Sequence, residues 1–453
     1  MKKRGLRLGL GVAVAALAGL TAASLTSCGG AKQNNDGDIF HIMVWNEEFR
    51  GFFEKYVSDE KAAGKSTYHM DGKLVKFSTV PSKDGAYQEA LDSALKANAN
   101  AKEEEKIDMF LAEADYILKY TNSKYTRDVT EIGVKDFSNI YTYTKEAASD
   151  SKGVCKGVSF QCCPAGVIYR RSIAKDLWGS DDPATVQSKI SDWNKFNAVA
   201  AEAKAKGYYM TASFAETYRA FSNNVSKPWI DSDNKLQFDD QINNWMDQAE
   251  SFIQNGYTLT DGIWSENGEK ALQMNKTGKT LCFFGPAWYY NFCMDNPDEH
   301  IDTYGDWGLV EGPAAYFWGG TWLLAATGGD NDELVAKTMN AFINDHDVCY
   351  NLASKESQFV NYQAVNKEWA DKGEGNGFLG GQNDTALYLE GAKKIKFQNQ
   401  TIYDQYCNEG LQTEYGEYLK AIKAGKATPT KTEAINNFKE YVKTKTNNTV
   451  KVD

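Results

Sequence analysis

Residues 39–45, Ile39-Phe40-His41-Ile42-Met43-Val44-Trp45, are rich in β-branched and aromatic side chains and read as a strand. Phe49, Phe52, Phe53 and Tyr56 follow at helical spacing, so a helix comes directly after it. The same alternation continues downstream. Residues 74–80 read as a strand and 85–99 as an Ala-rich helix, while Ile107-Asp108-Met109-Phe110-Leu111 is a third strand with a helix opening at 115–119. Strands alternating with helices of this length predict an α/β fold on a parallel, doubly wound sheet.

Further along, 157–161 and 167–171 read as strands, the second feeding a helix at 172–178. Helices dominate 185–255, with one at 193–206 ended by Gly207. Strands return at 280–284, closed by Gly285-Pro286, and at 307–310 and 319–326. A helix covers 332–344, and helices dominate from 385 to a last one at 431–443. A chain of 453 residues is too long for one core. Its order is an α/β half, a more helical half, a return to short strands and a helical tail. Such a chain revisits its first lobe and leaves two crossovers, the natural place for a hinge.

Upstream of the first strand, Lys2, Lys3, Arg4 and Arg7 precede an apolar stretch from Leu8 to Ala23 and then Leu25-Thr26-Ser27-Cys28. Basic, apolar and small-residue regions in that order form a secretory signal. The stretch is too short and too rich in Gly and Ala to span a bilayer, which takes roughly 20 strongly apolar residues. Residues 29–38 are small and polar and read as a flexible tether.

The chain carries 50 Lys and Arg against 61 Asp and Glu, a net charge of −11. The signal holds basic residues and no acid, so the remainder is more acidic still, which excludes nucleic acid and anionic lipid as partners. Beyond Cys28 the cysteines stand at 155, 162, 163, 282, 293, 349 and 407, with no CxxC and no regular disulfide spacing. Only four His are present, at 41, 69, 300 and 346, so neither a zinc site nor any cofactor is expected.

Aromatic content is high, with 25 Tyr, 22 Phe and 11 Trp. Some of these sit in Gly- and Pro-punctuated loops at strand ends: Trp45 before Asn46, Glu47 and Glu48; Trp288, Tyr289 and Tyr290 after Gly285-Pro286; Trp318 before Gly319-Gly320, with Trp322 beyond. Ligands of open α/β sheets collect at the carboxyl ends of strands. Flat aromatic faces beside carboxylates and amides suit a sugar, whose C–H face packs on the ring while its hydroxyls donate to the acceptors. Asp231-Ser232-Asp233-Asn234 begins like a calcium loop, but Leu236 and Ile242 stand where Gly and Glu are required, so it reads as a polar turn. Glu47-Glu48 is no glycosidase pair, because neighbours on an extended chain point to opposite sides and a retaining pair stands about 5 Å apart across its substrate.

Cys28 at the cleavage point resembles the lipobox of bacterial lipoproteins, in which that thiol is lipidated. Together with Val44-Trp45-Asn46, Ile107-Asp108-Met109-Phe110, Val167-Ile168-Tyr169-Arg170-Arg171, Phe284-Gly285-Pro286-Ala287-Trp288 and Trp318-Gly319-Gly320-Thr321-Trp322, it resembles the extracellular solute-binding proteins of carbohydrate ABC importers, the family of maltose-binding protein. The resemblance runs in order over the chain after the signal. It implies a two-lobed periplasmic-binding-protein-like α/β fold, each lobe a sheet flanked by helices, with hinge crossovers between the lobes. The expected division is a signal at 1–27, a lipidated tether at 28–38, a first lobe of 39–156 plus 305–355, and a second of 157–304 plus 356–453.

By the same resemblance, Trp45, Asn46, Glu47 and Glu48 form a first-strand binding loop, and Glu113 and Asp115 supply a carboxylate past the third strand. Asp115 equally reads as a helix N-cap, and Glu47 and Glu48 as a solvated helix start. Gln161 to Cys163 fall at the first crossover, where maltose-binding protein uses a carboxylate that this chain lacks. Phe214, Glu216 and Tyr218 resemble a second-lobe loop reaching the ligand. Trp288, with Tyr289 beside it, corresponds to the second-lobe stacking aromatic, and Trp318 with Gly319 to one of the first lobe. Tyr403 and Asp404 lie in the tail segment that completes the cleft. The implied partners are a carbohydrate, ABC-importer permease subunits and the membrane through the N-terminal lipid, for a protein monomeric and non-catalytic. A secreted polysaccharide-degrading enzyme with aromatic subsites is the alternative of a different class, and a surface adhesion lipoprotein a third.

Overall fold

The computed structural model describes residues 35–260, 273–294 and 301–452. The signal and Cys28 lie outside the described residues. The expected tether ran to residue 38, but its last four residues are already held by the first lobe. The Gly37 N–H donates to the Asp330 carbonyl at 3.1 Å, the Lys73 ammonium to the Asn35 carbonyl at 2.8 Å, and the Glu333 N–H to Asn35 Oδ1 at 2.9 Å.

The strands are β1 (Ile39–Val44), β2 (Tyr68–Met70), β3 (Lys73–Thr79), β4 (Met109–Glu113), β5 (Gly157–Ser159), β6 (Pro164–Arg170), β7 (Tyr209–Thr211), β8 (Thr280–Pro286), β9 (Trp307–Val310), β10 (Tyr316–Phe317) and β11 (Thr321–Ala325). They form a six-stranded sheet in the order β2-β3-β1-β4-β11-β5 and a five-stranded sheet in the order β10-β6-β8-β7, in which β9 also pairs with β6.

In the first sheet β1 runs parallel to both β3 and β4, while β2, β11 and β5 join antiparallel to their neighbours. Residues 40–44 of β1 are buried without alternation, as befits a central strand covered on both faces. Phe49 and Phe53 of the helix Glu48–Tyr56, Leu91 and Leu95 of Ala86–Ala97, and Met339 and Phe342 of Asp332–Asn344 complete that core. The second sheet is largely antiparallel: β6 pairs that way with β8, β9 and β10, and only β7 with β8 is parallel. The expected doubly wound parallel sheet is therefore confined to the heart of the first lobe. The strands β2, β7 and β10, of two or three residues, were too short to leave a periodic pattern.

Behind the second sheet the helices Asp240–Asn255, Asp404–Lys423 and Lys431–Lys445 pack a further core around Trp245, Leu411, Tyr415 and Phe438. Capping sets where several helices begin: Asp239 accepts the Gln241 N–H, and Thr430 with Glu433 makes a capping box.

Sheet membership moves the lobe boundaries. β5, expected in the second lobe, adds to the first sheet, whereas β9 and β10, expected in the first lobe, pair with β6. The crossovers between sheets accordingly fall at residues 160–163 and 318–320, a few residues later than 156 and about fifteen later than 304. The second lobe was expected to resume at 356, and Phe359 does join the second core, but Val360 and Val365 return to the first before the chain packs on the second again at Phe378 and Leu379. The Asp231 segment is a polar turn, its carboxylate accepting the Asp233 and Lys235 N–H groups.

Candidate functional site

Strand register brings the candidate residues together. In the first sheet the parallel strands β1 and β4 end at Val44 and Glu113. The antiparallel β11 therefore begins at that same end, with Thr321 opposite Glu113, and β5, antiparallel to β11, finishes there with Ser159 opposite Trp322. Trp45, Glu113, residues 318–320 and residues 160–163 thus gather at one end of the first sheet. In the second sheet β6 starts at Pro164, opposite Phe317 at the end of β10, with Ala165 opposite Pro286 at the end of β8. Since β7 is parallel to β8, the loop carrying Phe214 and Glu216 leaves that end too. Both sheets present these ends toward the crossovers, which carry the chain directly from one set to the other.

On the first-lobe side Trp45 is half-buried, its ring edge-on to Tyr87 at 5.4 Å between centroids. The two glutamates of that loop divide. Glu47 is exposed, pairs with Arg50 at 3.0 Å and accepts from the Thr79 hydroxyl at 2.9 Å, while Asn46 Oδ1 accepts the Glu48 N–H at 3.1 Å. These two open the helix. Glu48 turns inward, where Gln161 Nε2 donates to it at 3.4 Å. Burial pushes its carboxyl up to about 7 against that hydrogen bond. Gln161 is buried and also bonds Gln358 at 2.9 Å and Thr321 at 3.3 Å, so it ties the crossover to the first sheet.

Glu113 is half-buried, and its carboxyl is raised by burial and by the adjacent Asp115 charge, with Arg219 opposing. The Asp115 N–H donates to Glu113 Oε2 at 2.8 Å. Asp115 does not cap the helix Ile117–Thr121; its two oxygens take Arg219 Nη1 and Nη2 in a two-point contact. Cys163 is fully buried at the crossover and feels the charges of both Glu48 and Glu113, which locates these carboxylates around one point.

From the second lobe, Trp288 is half-buried and donates its indole N–H to the Trp318 carbonyl at 3.1 Å. The two indoles meet edge to face, 4.9 Å between centroids at 67°, and Tyr289 lies 5.6 Å from Trp318. Trp318 was expected as a first-lobe aromatic; it belongs to the second-lobe core and is only 7% exposed. No sugar fits between these indoles, since a ring in contact with both needs them about 7–8 Å apart. Gly319 follows with φ +78°, and a Cβ there would stand 3.2 Å from Trp288 Nε1, so only glycine lets the loop lie against the indole.

Three expected contacts turn out to be structural, the first of them Tyr289, which is buried in the second-lobe core. Tyr218 is fully buried, its ring edge-on to Trp245 at 4.7 Å and its hydroxyl donating to Asn408 at 2.5 Å. Glu216 is 1% exposed and accepts the Phe284 N–H at 3.0 Å, so it braces the loop on β8. Asp404, beside the half-buried Tyr403, accepts from the Thr401 N–H at 2.7 Å and hydroxyl at 2.6 Å. Burial raises its carboxyl to about 7, with Asp115 adding and Arg219 opposing, so the tail segment does reach this cluster.

Arg219, Tyr87 and Tyr116 were not singled out in the sequence. Arg219 stands beside a named residue, but its partner lies 104 positions away and no local pattern links them. Tyr116 is half-buried and senses Tyr87 and Glu113. Among the described residues no group of three or more His, Cys, Asp or Glu could hold a metal ion, and no helix is long and apolar enough to cross a membrane. The described cysteines are free thiols, all buried except the half-buried Cys293.

The model of the bacterial extracellular solute-binding proteins matches residues 67–374. Among solved structures, an extracellular solute-binding protein of family 1 is 17% identical, covers 89% of this chain and 99% of its own, and superposes with a TM-score of 0.73. An ABC-transporter-associated binding protein from B. animalis subsp. lactis, in complex with beta-1,6-galactobiose, is 13% identical over 92% of this chain and all of its own, with a TM-score of 0.63. The galacto-N-biose-/lacto-N-biose I-binding protein of Bifidobacterium longum, in complex with lacto-N-biose, is 12% identical over 94% of this chain and all of its own, also with a TM-score of 0.63. No curated protein matches. The structural likeness establishes the fold, and the match of the family model over most of the length establishes descent: the chain belongs to the bacterial extracellular solute-binding proteins.

Proposed function

We propose that the protein is a lipid-anchored receptor that captures a sugar or oligosaccharide between its lobes, without altering it, and delivers it to an ABC importer. The observation that carries this is the meeting of half-buried Trp45 and Trp288 with the inward-facing carboxyls of Glu48, Glu113 and Asp404 at one end of both sheets. An indole offers a flat apolar face to the C–H side of a pyranose, and carboxyl oxygens accept from its hydroxyls. The sugar complexes of structural neighbours point the same way. Cys28, in its lipobox-like setting, would hold the receptor beside its permease and raise the local concentration there. Ligand contacts from both lobes favour the closed arrangement, which is the form a permease would distinguish.

A thermal-shift screen against mono- and oligosaccharides tests the reading, because a ligand that binds only the folded state raises the melting temperature by mass action. At least one neutral saccharide is expected to do so, with reducing ends staying at background on incubation. A melting temperature unmoved by every saccharide contradicts sugar capture, and release of reducing ends contradicts a purely binding role.

A further inference from the structure

The contact between Asp115 and Arg219 joins the two lobes. Asp115 follows β4, at the centre of the first sheet. Arg219 lies in the short helix Tyr218–Ser222, whose next residue, Asn223, accepts the Phe317 N–H of β10 in the second lobe at 2.9 Å. The guanidinium fork meets the carboxylate at two points, a geometry that arginine provides and lysine does not. The side chains are 18% and 29% exposed, so the pair is shielded from much of the solvent screening that weakens surface ion pairs. Nearby, Gln88 of the first lobe donates to Gln405 of the second at 3.3 Å.

The surroundings make the pair more than one bond. Glu113 and Asp115 stand on the first-lobe side of the seam, Asp404 and Glu409 on the second, and Asp115 acts on both Asp404 and Glu409. Bringing the lobes together therefore brings carboxylates together. Lys445 acts on Glu409, and Arg219 is the cation set among the other three: it bonds Asp115 and opposes the raised proton affinity of Glu113 and Asp404. Burial works against the Arg219 charge, and Asp115 with Glu113 sustains it.

We propose that Arg219 is the positioning residue of lobe closure, clasping Asp115 across the seam and offsetting the repulsion between carboxylates on opposite lobes, so that it sets the closed fraction of the population. Its effect on ligand affinity then comes through that population, because apparent affinity scales with the fraction competent to hold the ligand. The proposal rests on this seam being the ligand cleft, but its test needs no sugar.

The test is small-angle X-ray scattering of the ligand-free protein, comparing wild type with Arg219→Met, Arg219→Lys, Asp115→Asn and the double variant Arg219→Met/Asp115→Asn. Arg219→Met is expected to increase the radius of gyration, and Arg219→Lys less so. The double variant is expected to expand no further than Arg219→Met alone, since the two side chains act as one pair. Where Arg219→Met fails to fold, Arg219→Lys and Asp115→Asn carry the same expectation from opposite lobes. Wild-type scattering from the folded single variants, or strictly additive expansion in the double, overturns the clasp. Where a binding sugar is in hand, a tenfold fall in closed fraction should weaken its apparent affinity about tenfold. Expansion with no sugar binding at all would leave the clasp standing and remove the carbohydrate reading instead.

Discussion

At Trp288 the indole N–H is already committed to the Trp318 carbonyl, so what the ring has left to offer a ligand is its apolar surface. Trp288→Ala is expected to weaken sugar binding at least tenfold, or about 1.4 kcal/mol, with little loss of melting temperature; unchanged affinity in titration calorimetry would remove Trp288 from the site. The carboxyls of Glu48 and Asp404, both raised to about 7, make a second prediction. Between the ordinary carboxylate range and pH 7 the folded chain keeps protons that the unfolded chain has lost, so stability falls as pH rises through that window. His41, pushed down to about 4 by burial, acts in the opposite sense below pH 6.5. The comparison is therefore cleanest from pH 6.5 to 8. There the ligand-free wild type should lose melting temperature and the double variant Glu48→Gln/Asp404→Asn should lose less, and equal slopes would refute the assignment. Sequence made Glu47 and Glu48 equal candidates. Which of them turns inward depends on Arg50 and Thr79 claiming Glu47 and on Gln161, more than a hundred residues away, reaching Glu48.

Elements were legible where they were long. The strand at 307–310 and the helix at 332–344 have the bounds expected of them, and the helices near 86–97, 193–205 and 431–445 differ by a few residues at their ends. What periodicity could not supply was pairing. β5 looks like the start of a second lobe, yet it belongs to the first sheet because Gly157 lets it pack against Leu323, whose carbonyl would lie 2.3 Å from a Cβ there. The same blindness moved the second crossover, since β9 and β10 carry nothing local to say that they pair with β6 rather than with the first sheet. The crossover loop itself offers a test. Gly319→Ala puts a side chain at φ +78°, strained by about 1 kcal/mol, and 3.2 Å from the Trp288 indole nitrogen. It is expected to lower the melting temperature by a few degrees and, by shifting Trp288, to weaken sugar binding as well; wild-type affinity would show that the loop does not position that ring.

At the scale of the whole molecule, the two-lobed α/β architecture follows from the strand–helix alternation and the late return of short strands, and the family match agrees with it. The site was legible only in part: the aromatics and acids at strand ends were visible, but Tyr218 and Glu216 served the second-lobe core and Arg219 emerged only once the lobes faced one another. The interlobe seam gathers Glu48, Glu113, Asp115, Asp404 and Glu409 around one already paired arginine, so it should select against anions as the raised carboxyls ionise. Above about pH 8, where the raised carboxyls of Glu48 and Asp404 have lost their protons, a uronic-acid analogue is expected to bind at least tenfold more weakly than its neutral parent in competition calorimetry, because like charges at close range are penalised by more than 1 kcal/mol; the gap should narrow as the pH falls below 7, and equal affinity at the higher pH would contradict carboxyls facing the ligand. Capture of a glycan between the two lobes is open to titration calorimetry of the wild-type protein, at several temperatures, with the saccharide giving the largest thermal shift. One-to-one binding with a negative heat-capacity change from apolar burial on the indole faces is expected; absence of saturable heat with every saccharide tried would refute capture.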